Sequence, residues 1–396
     1  MSTPGSGARD RRILYYVDRY LPASQSFVAQ QAKALNRYVP EVLAGRLVDS
    51  PSRGIATLPL HDISGSYAMR AGELAVKLAR LPVPSAFPAV RAASLVHAHF
   101  GKNGYVIGPL ALAAGKPLVT TFHGFDATYR GEPRAAGGFN QARFFGRGRR
   151  EMARWNSWNI AVSDFIAARL IELGFPQDRV FRHYIGIDTA LFAPRHLDRK
   201  PGRVVSVARF VEYKGHRYMI DALAEVAAGG VPVEFVMVGQ GPLREEMERY
   251  ARQRLPEVTV HERLSQDEIA ELLATAQIYL HGSVALASGQ AEAFGLANLE
   301  AQAMGTPVVA FRSGGVAEAI VDGHSGDAVA ERDVHAMAGS IAALLTDAAK
   351  WQGYSRAAAE MAVRRFDIRV QGRLLEEFYD SVLEAHGAAE PSRKVG

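Results

Sequence analysis

At 396 residues, with 48% hydrophobic and 22% charged, the chain has the length of two ordinary domains and the balance of a soluble globular protein with substantial cores. Disorder as its main theme is thereby excluded, and the absence of cysteine excludes disulfides and thiolate metal sites. A net charge of +5 and a pI near 9.3 suit anionic substrates or an anionic membrane leaflet, and no nucleic-acid motif accompanies that charge.

The first residues, Met1 to Arg12, are polar and lack the apolar stretch of a secretion signal, and no later run is long enough to cross a bilayer. The expectation is a cytoplasmic protein, peripheral on the inner face of the membrane at most. Arg11 to Val17 reads as a short strand and Phe27 to Leu35 as a helix. Leu95 to Ala98, Leu118 to Phe122 and Asn159 to Val162 are further apolar, strand-length runs, separated by helical or Gly/Pro-punctuated sequence as a parallel sheet requires.

Tyr184 to Lys200, with Gly186, Asp188 and Pro194, reads as an interdomain linker. The second half repeats the strand scheme with Arg203 to Val207, Val233 to Val238, Val258 to Val260, Ile278 to Leu280 and Val308 to Phe311. From Trp351 onward, Tyr354, Met361, Val363, Phe366, Leu374, Leu375, Phe378, Tyr379 and Val382 are spaced for the buried face of helices. The fold class predicted is α/β, two doubly wound Rossmann-like domains. The limits drawn are 1–183, a linker over 184–200, a second domain over 201–360 and a terminal helical segment over 361–396.

The most informative segment runs Glu292-Ala-Phe-Gly-Leu-Ala-Asn-Leu-Glu300, followed by Gly305-Thr-Pro307 and the strand-like Val308 to Phe311. It sets one carboxylate in a glycine-containing loop and a second two turns on, upon a helix whose N-terminal dipole favours anions. A phosphorylated ligand is the natural occupant. Ser313-Gly314-Gly315 and Glu318 follow as a second glycine turn.

This pattern resembles the Glu, seven residues, Glu motif of the family-four retaining glycosyltransferases, especially those of exopolysaccharide and colanic-acid-type assembly. The resemblance covers nearly the whole chain and is most specific from Arg209 to Glu318. It implies the GT-B architecture, with two Rossmann-like domains facing across a cleft and the last helix crossing back to the N-terminal one. It also implies transfer of a hexose from a nucleotide-diphosphate sugar to an acceptor hydroxyl, with retention and without metal or cofactor. The departing phosphate would take the acceptor's proton.

Site roles follow from the same resemblance. Arg209 and Lys214 are expected to grip the diphosphate, and Glu292 to lie near the transferred sugar. Gly239 and Gly241 match the family's Gly-x-Gly-Pro turn at the nucleotide, and Arg263 with Leu264 the loop at the base, although Glu262 stands where a glycine is common. Phe294, Gly295 and Leu296 would offer backbone N–H groups, and Glu300 would accept hydrogen bonds from the ribose hydroxyls. Thr-Phe-His123-Gly-Phe-Asp126 places His123 near the donor sugar as a catalytic or orienting group, with Asp126 on the acceptor side. Ile185-Gly-Ile-Asp188 with Phe192 resembles the family's Asn-Gly-Val-Asp element.

After the first strand the chain has no Gly-Gly loop; Ser24, Gln25 and Ser26 stand at the helix start instead as acceptor-sugar contacts, with Ser24 or Ser26 as a helix cap the other reading. His97 and His99 lack a wider ligand cluster and read as structure or acceptor contact rather than as a zinc site. Arg130, Arg134, Arg143, Arg147, Arg149, Arg150 and Arg154 crowd a stretch with Phe139, Phe144, Phe145, Trp155 and Trp158. Two readings stand for it: an anionic membrane surface receiving a lipid-pyrophosphate-linked acceptor, or a solvated helix flank with its aromatics in the core. Two other functions fit the fold, a nucleotide-sugar epimerase and a non-catalytic nucleotide-sugar-binding assembly protein. A dinucleotide dehydrogenase does not, because no Gly-x-Gly-x-x-Gly follows the first strand.

Overall fold

The structure is a computed structural model that describes residues 11–20, 26–47, 54–59, 86–195 and 197–389. Ser24 and Gln25 lie outside the described residues, and Ser26 opens the helix Ser26–Lys33. The chain forms two compact units, 1–186 with 368–396, and 187–367.

The first unit is built on a seven-stranded, wholly parallel sheet with strand order β3-β2-β1-β4-β5-β6-β7. Its strands are β1 (Arg12–Tyr20), β2 (Val39–Leu47), β3 (Ala56–Pro59), β4 (Leu95–His99), β5 (Leu118–Phe122), β6 (Trp158–Ala161) and β7 (Val180–Arg182). Because side chains alternate along a strand, Ile13, Tyr15 and Val17 enter one core while Leu14 and Tyr16 enter another on the opposite face. A sheet covered on both faces needs such an unbroken apolar run.

The helix Ile368–Ala389 covers the first of these faces with Leu375, Phe378, Tyr379 and Val382. Full burial of side chains of this size is worth roughly 1.5–3 kcal/mol each. The buried Glu376 carboxylate fixes the helix further, accepting from the backbone N–H groups of Asn36 at 2.6 Å and Arg37 at 2.5 Å. The last helix therefore belongs to the N-terminal unit.

The second unit has six parallel strands in the order β10-β9-β8-β11-β12-β13. They are β8 (Arg203–Val207), β9 (Glu234–Val238), β10 (Glu257–His261), β11 (Ile278–His281), β12 (Val308–Phe311) and β13 (Gly326–Val329). In both sheets the strand order reverses beside the first strand, which opens a crevice at the carboxyl edge between β1 and β4 and between β8 and β11.

The chain passes between units after Gly186 and after Asp367, where sequence had put the limits at 183 and 360. Packing gives the reason. Ile187 N–H donates to the Phe366 carbonyl at 2.8 Å, Thr189 hydrogen-bonds Asp367, and Phe366 is fully buried, so helix Ala348–Phe366 stays with the second unit. Most of the presumed linker is likewise built in. Arg199 donates to the carbonyls of Leu273, Ala276 and Met304 at 3.0, 2.6 and 2.7 Å.

Candidate functional site

The candidate site of the second unit stands at the β8/β11 switch point and is assembled from loops that follow five strands. After β8 come Arg209, Tyr213 and Lys214; β11 ends in His281 and is followed by Ser283 and Glu292. Lys214 Nζ is hydrogen-bonded and ion-paired to Glu292 Oε2, each side chain being 15% exposed. Burial alone would depress the lysine, but Glu292 and Tyr213 outweigh it and hold the ammonium above its ordinary value. Burial likewise opposes ionisation of Glu292, yet Lys214 and His281 keep that carboxyl well below the usual carboxylate range. Both groups are therefore charged at neutral pH. Arg209 is close enough to Lys214 to act on its charge, and Arg209 Nη2 donates to the Tyr213 hydroxyl at 3.0 Å.

Close backbone approach holds these loops in register. A Cβ on Gly215 would lie 1.9 Å from the Gly282 carbonyl oxygen, and one on Gly314 would lie 2.1 Å from that of Glu292. Gly315 N–H also donates to the Glu292 carbonyl at 3.0 Å, so the second glycine turn serves to seat Glu292. Gly239 and Gly241 do similar work. Side chains there would meet the carbonyl oxygens of Ala208 and Phe210 at 2.0 and 2.3 Å, so these glycines let the β9 loop clasp the loop that carries Arg209.

Glu262, the departure from the family pattern, joins the same turn by accepting from Gln240 Nε2 at 2.7 Å and Arg244 Nη1 at 3.2 Å. Arg263 beside it is exposed and Leu264 half-buried. Phe294 is 2% exposed with its ring 5.6 Å from that of Phe366, so its side chain anchors the loop in the core. Gly295, at φ 100°, precedes the helix Leu296–Ala303, whose N-terminus stands at this edge. Glu300 lies on that helix, and burial pushes its carboxyl up to about 7. Glu292 and Glu300 both act electrostatically on Tyr279, whose hydroxyl donates to the Val207 carbonyl at 3.1 Å, so both acids lie close to the end of β8.

His281 was not anticipated. It is 7% exposed, with Nδ1 2.7 Å from Asn298 Oδ1 and Nε2 2.7 Å from Ser283 Oγ, while Ser283 Oγ donates to Glu292 Oε2 at 3.4 Å. Its place as the last residue of a buried strand at the carboxyl edge was the available signal.

In the first unit the corresponding edge carries histidines and aromatics. His123 follows β5 and is enclosed by Phe27, Phe100 and His99, with ring centroids 4.9, 4.6 and 5.3 Å away. Burial lowers its pKa to about 3, so the ring is neutral at physiological pH. Phe100 adopts φ 73°, a conformation costly for a bulky residue, which places its ring against His123. Asp126 is bound to its own unit's backbone. Its oxygens accept from the N–H groups of Gly101 at 2.8 Å, Gly124 at 2.9 Å and His123 at 3.1 Å, and the residue is 6% exposed. It positions the His123 loop. Asp188 similarly caps a turn through Ala190 N–H at 3.0 Å, seating the buried Phe192.

The arginine-rich stretch divides. Arg149 stacks on Phe145 at 4.8 Å and donates to the Tyr129 carbonyl at 2.9 Å, Arg130 pairs with Glu172, and Phe144 and Phe145 are core. Arg134, Phe139, Arg143 and Arg147 instead line an open pocket of about 770 Å³, with Phe139 63% exposed. Among the described residues there is no group of three side chains able to hold a metal, and no helix long and apolar enough to cross a membrane.

Two family models match consecutive parts of the chain: Glycosyltransferase Family 4 over residues 68–191 and Glycosyl transferases group 1 over residues 188–361. Among similar proteins is a putative colanic acid biosynthesis glycosyltransferase of Escherichia coli, 29% identical over 62% of this chain and 60% of its own length. Another is a GDP-mannose-dependent phosphatidylinositol monomannoside mannosyltransferase of Mycolicibacterium smegmatis, 28% identical over 72% of this chain and 75% of its own. In fold, the chain is similar to Anabaena HepE in complex with UDP-glucose, with TM-score 0.71 and 20% identity over 93% of this chain and 99% of that one. Matched from residue 68 to residue 361 by the two models in succession, and sharing the GT-B fold with its structural neighbours, the chain belongs to the family-four glycosyltransferases.

Proposed function

We propose that the protein transfers a hexose from a nucleotide-diphosphate sugar to an acceptor hydroxyl, with retention of anomeric configuration and without a metal. The observation that carries this reading is the Lys214–Glu292 pair with Arg209 beside it at the switch point of the second sheet. A diphosphate leaving group gains charge as the glycosidic bond breaks, and two fixed cations stabilise it most where water is excluded. The incoming phosphate competes with Glu292 for Lys214. Glu292, once exchanged, is left near the sugar to orient its hydroxyls.

Glu300 accepts hydrogen bonds from the ribose, which favour its ionised form. The N–H groups at Phe294, Gly295 and Leu296 and the helix dipole add to the anion's binding. The glycosidic bond breaks toward an oxocarbenium-like state, the acceptor oxygen attacks the same face, and its proton passes to the departing phosphate. His123 orients the donor sugar.

The acceptor we favour is a lipid-pyrophosphate-linked saccharide in cell-surface polysaccharide assembly, met at the cytoplasmic face of the membrane. Relatives named for colanic acid and amylovoran biosynthesis support that setting, and the pocket between Arg134, Arg143 and Arg147 supplies cations and an exposed Phe139 for an anionic interface. The test is a panel of nucleotide sugars screened by thermal shift, followed by donor consumption with and without acceptor. Acceptor-dependent release of nucleoside diphosphate supports transfer. Turnover of the sugar without acceptor would indicate an epimerase, and binding without turnover an assembly protein.

A further inference from the structure

The Glu292 carboxylate has two sets of partners, and both act on the same oxygen. Lys214 reaches Oε2 from the loop after β8 on a long, flexible stem. The second set is Ser283, whose Oγ lies 3.4 Å from Oε2, and His281, whose Nε2 lies 3.7 Å from it. This second set is built in: Ser283 and Asn298 are fully buried, and His281 is nearly so. His281 closes β11, and its ring bridges Ser283 Oγ and the side-chain amide of Asn298, each at 2.7 Å. Asn298 stands on the helix Leu296–Ala303, where its backbone carbonyl accepts from the buried Gln302 Nε2 at 3.1 Å.

The direction of these bonds follows from the anion at their end. A carboxylate can only accept, so the Ser283 hydroxyl gives it its single hydrogen and accepts in turn from His281 Nε2–H. The reverse direction would aim serine lone pairs at a largely buried anion. The Asn298 amide has both an oxygen and an N–H to offer Nδ1, so the ring keeps Nε2–H for Ser283 whether Nδ1 is protonated or bare. Donation therefore runs from the ring through the hydroxyl to Glu292.

In the free protein Lys214 and this row support the carboxylate together. In the proposed reaction they part company, because the diphosphate competes for Lys214, and a buried carboxylate that loses its cation needs another donor. We propose that Ser283, backed by His281 and Asn298, is a positioning residue that keeps the Glu292 carboxylate in place when the diphosphate draws Lys214 away. The inference rests on the proposed function for the identity of that diphosphate. A rigid serine and histidine row takes over at the same oxygen, so Glu292 does not swing out to follow its cation.

Lys214→Ala imitates the lysine's withdrawal, and a crystal structure of the full chain carrying it needs no donor. The expected result is Glu292 Oε2 still within hydrogen-bond distance of Ser283 Oγ, and displaced from that place when Ser283→Ala is added. In assays of nucleoside diphosphate release, Ser283→Ala should lower kcat roughly tenfold, the scale of one hydrogen bond to a charged group. The donor KM, and the affinity for whichever of UDP, GDP and ADP binds tightest by calorimetry, should change less than about twofold. His281→Leu should behave alike, and His281→Gln, which can set an N–H at the Nε2 position, should restore most of the lost kcat. A Glu292 side chain that leaves Ser283 in Lys214→Ala overturns the inference, as does an unchanged kcat in Ser283→Ala. A loss of diphosphate affinity as large as the loss of kcat would mark a merely structural role and overturn it too. Should Lys214→Ala fail to fold, the kinetics of Ser283→Ala decide alone. Because the structure is read without substrate, Glu292 still seated on Ser283 in a protein that transfers no sugar would defeat the proposed function and leave the row's hold on Glu292 standing.

Discussion

The carboxyl edges of the two sheets share one topology and differ in how their polar groups are arranged. In the second unit the edge holds a charged lysine and glutamate in contact, with an arginine at hand; in the first, neutral histidines and aromatic rings stand beside a Lys102–Asp18 ion pair and an aspartate committed to backbone N–H groups. A doubly wound sheet supplies a crevice in both cases, and the residues planted there decide what it can bind. The second edge suits a ligand bringing full negative charge. The histidines of the first suit directional hydrogen bonding, because burial keeps their rings neutral.

The sharpest way to break this contrast is to remove its cations. Lys214→Ala and Arg209→Ala should each lower turnover by about 10²–10³-fold, the scale of losing one preorganised charge-stabilising donor, as read by nucleoside diphosphate release. Near-wild-type turnover in both would erase the distinction between the edges. The first edge should respond through stability instead. Tyr379→Ala opens a cavity beneath His97 and Tyr15 and should cost about 3–5 kcal/mol in denaturant unfolding.

Glu300 sharpens the comparison through pH. Its carboxyl is raised by burial to about 7, above its unfolded value, so it contributes stability below the unfolded pKa that is lost as pH rises through the folded one. Between pH 5 and 8 the native protein should therefore lose about 1–2 kcal/mol relative to Glu300→Gln, measured by paired unfolding curves. Affinity for a nucleotide should move the opposite way, rising toward pH 8 in the native protein and flat in Glu300→Gln. The smallest effect is expected at the open pocket. Arg134→Ala with Arg147→Ala should weaken binding to anionic vesicles by roughly fivefold per arginine and leave neutral vesicles unaffected. Equal, negligible binding to both vesicle types in the native protein would remove the membrane reading.

Much of the second edge was legible because its chemistry is local in sequence: Arg209 and Lys214 lie five residues apart, and the interval from Glu292 to Glu300 spans one loop and one helix. What sequence did not reveal depends on distant partners. His281 becomes informative only when Asn298 and Ser283 flank it, and His99 only when β4 and β5 pair side by side to bring His123 into reach. The backbone N–H partners of Asp126 likewise leave no trace in composition. Strands β2, β3, β7 and β13 were not anticipated either: β3, β7 and β13 are three or four residues long, and all four include a glycine, proline or charged residue within an otherwise brief apolar run. Their pairing partners, not their own propensity, make them strands.

The central claim is that the second unit grips a diphosphate with Lys214 and Arg209. Titration calorimetry of UDP, GDP and ADP against their monophosphates, in the native protein and in Lys214→Ala with Arg209→Ala, tests it most directly. The account predicts that the preferred diphosphate binds at least tenfold tighter than its monophosphate and loses that advantage in the double variant. A variant that still discriminates diphosphate from monophosphate as the native protein does would contradict it.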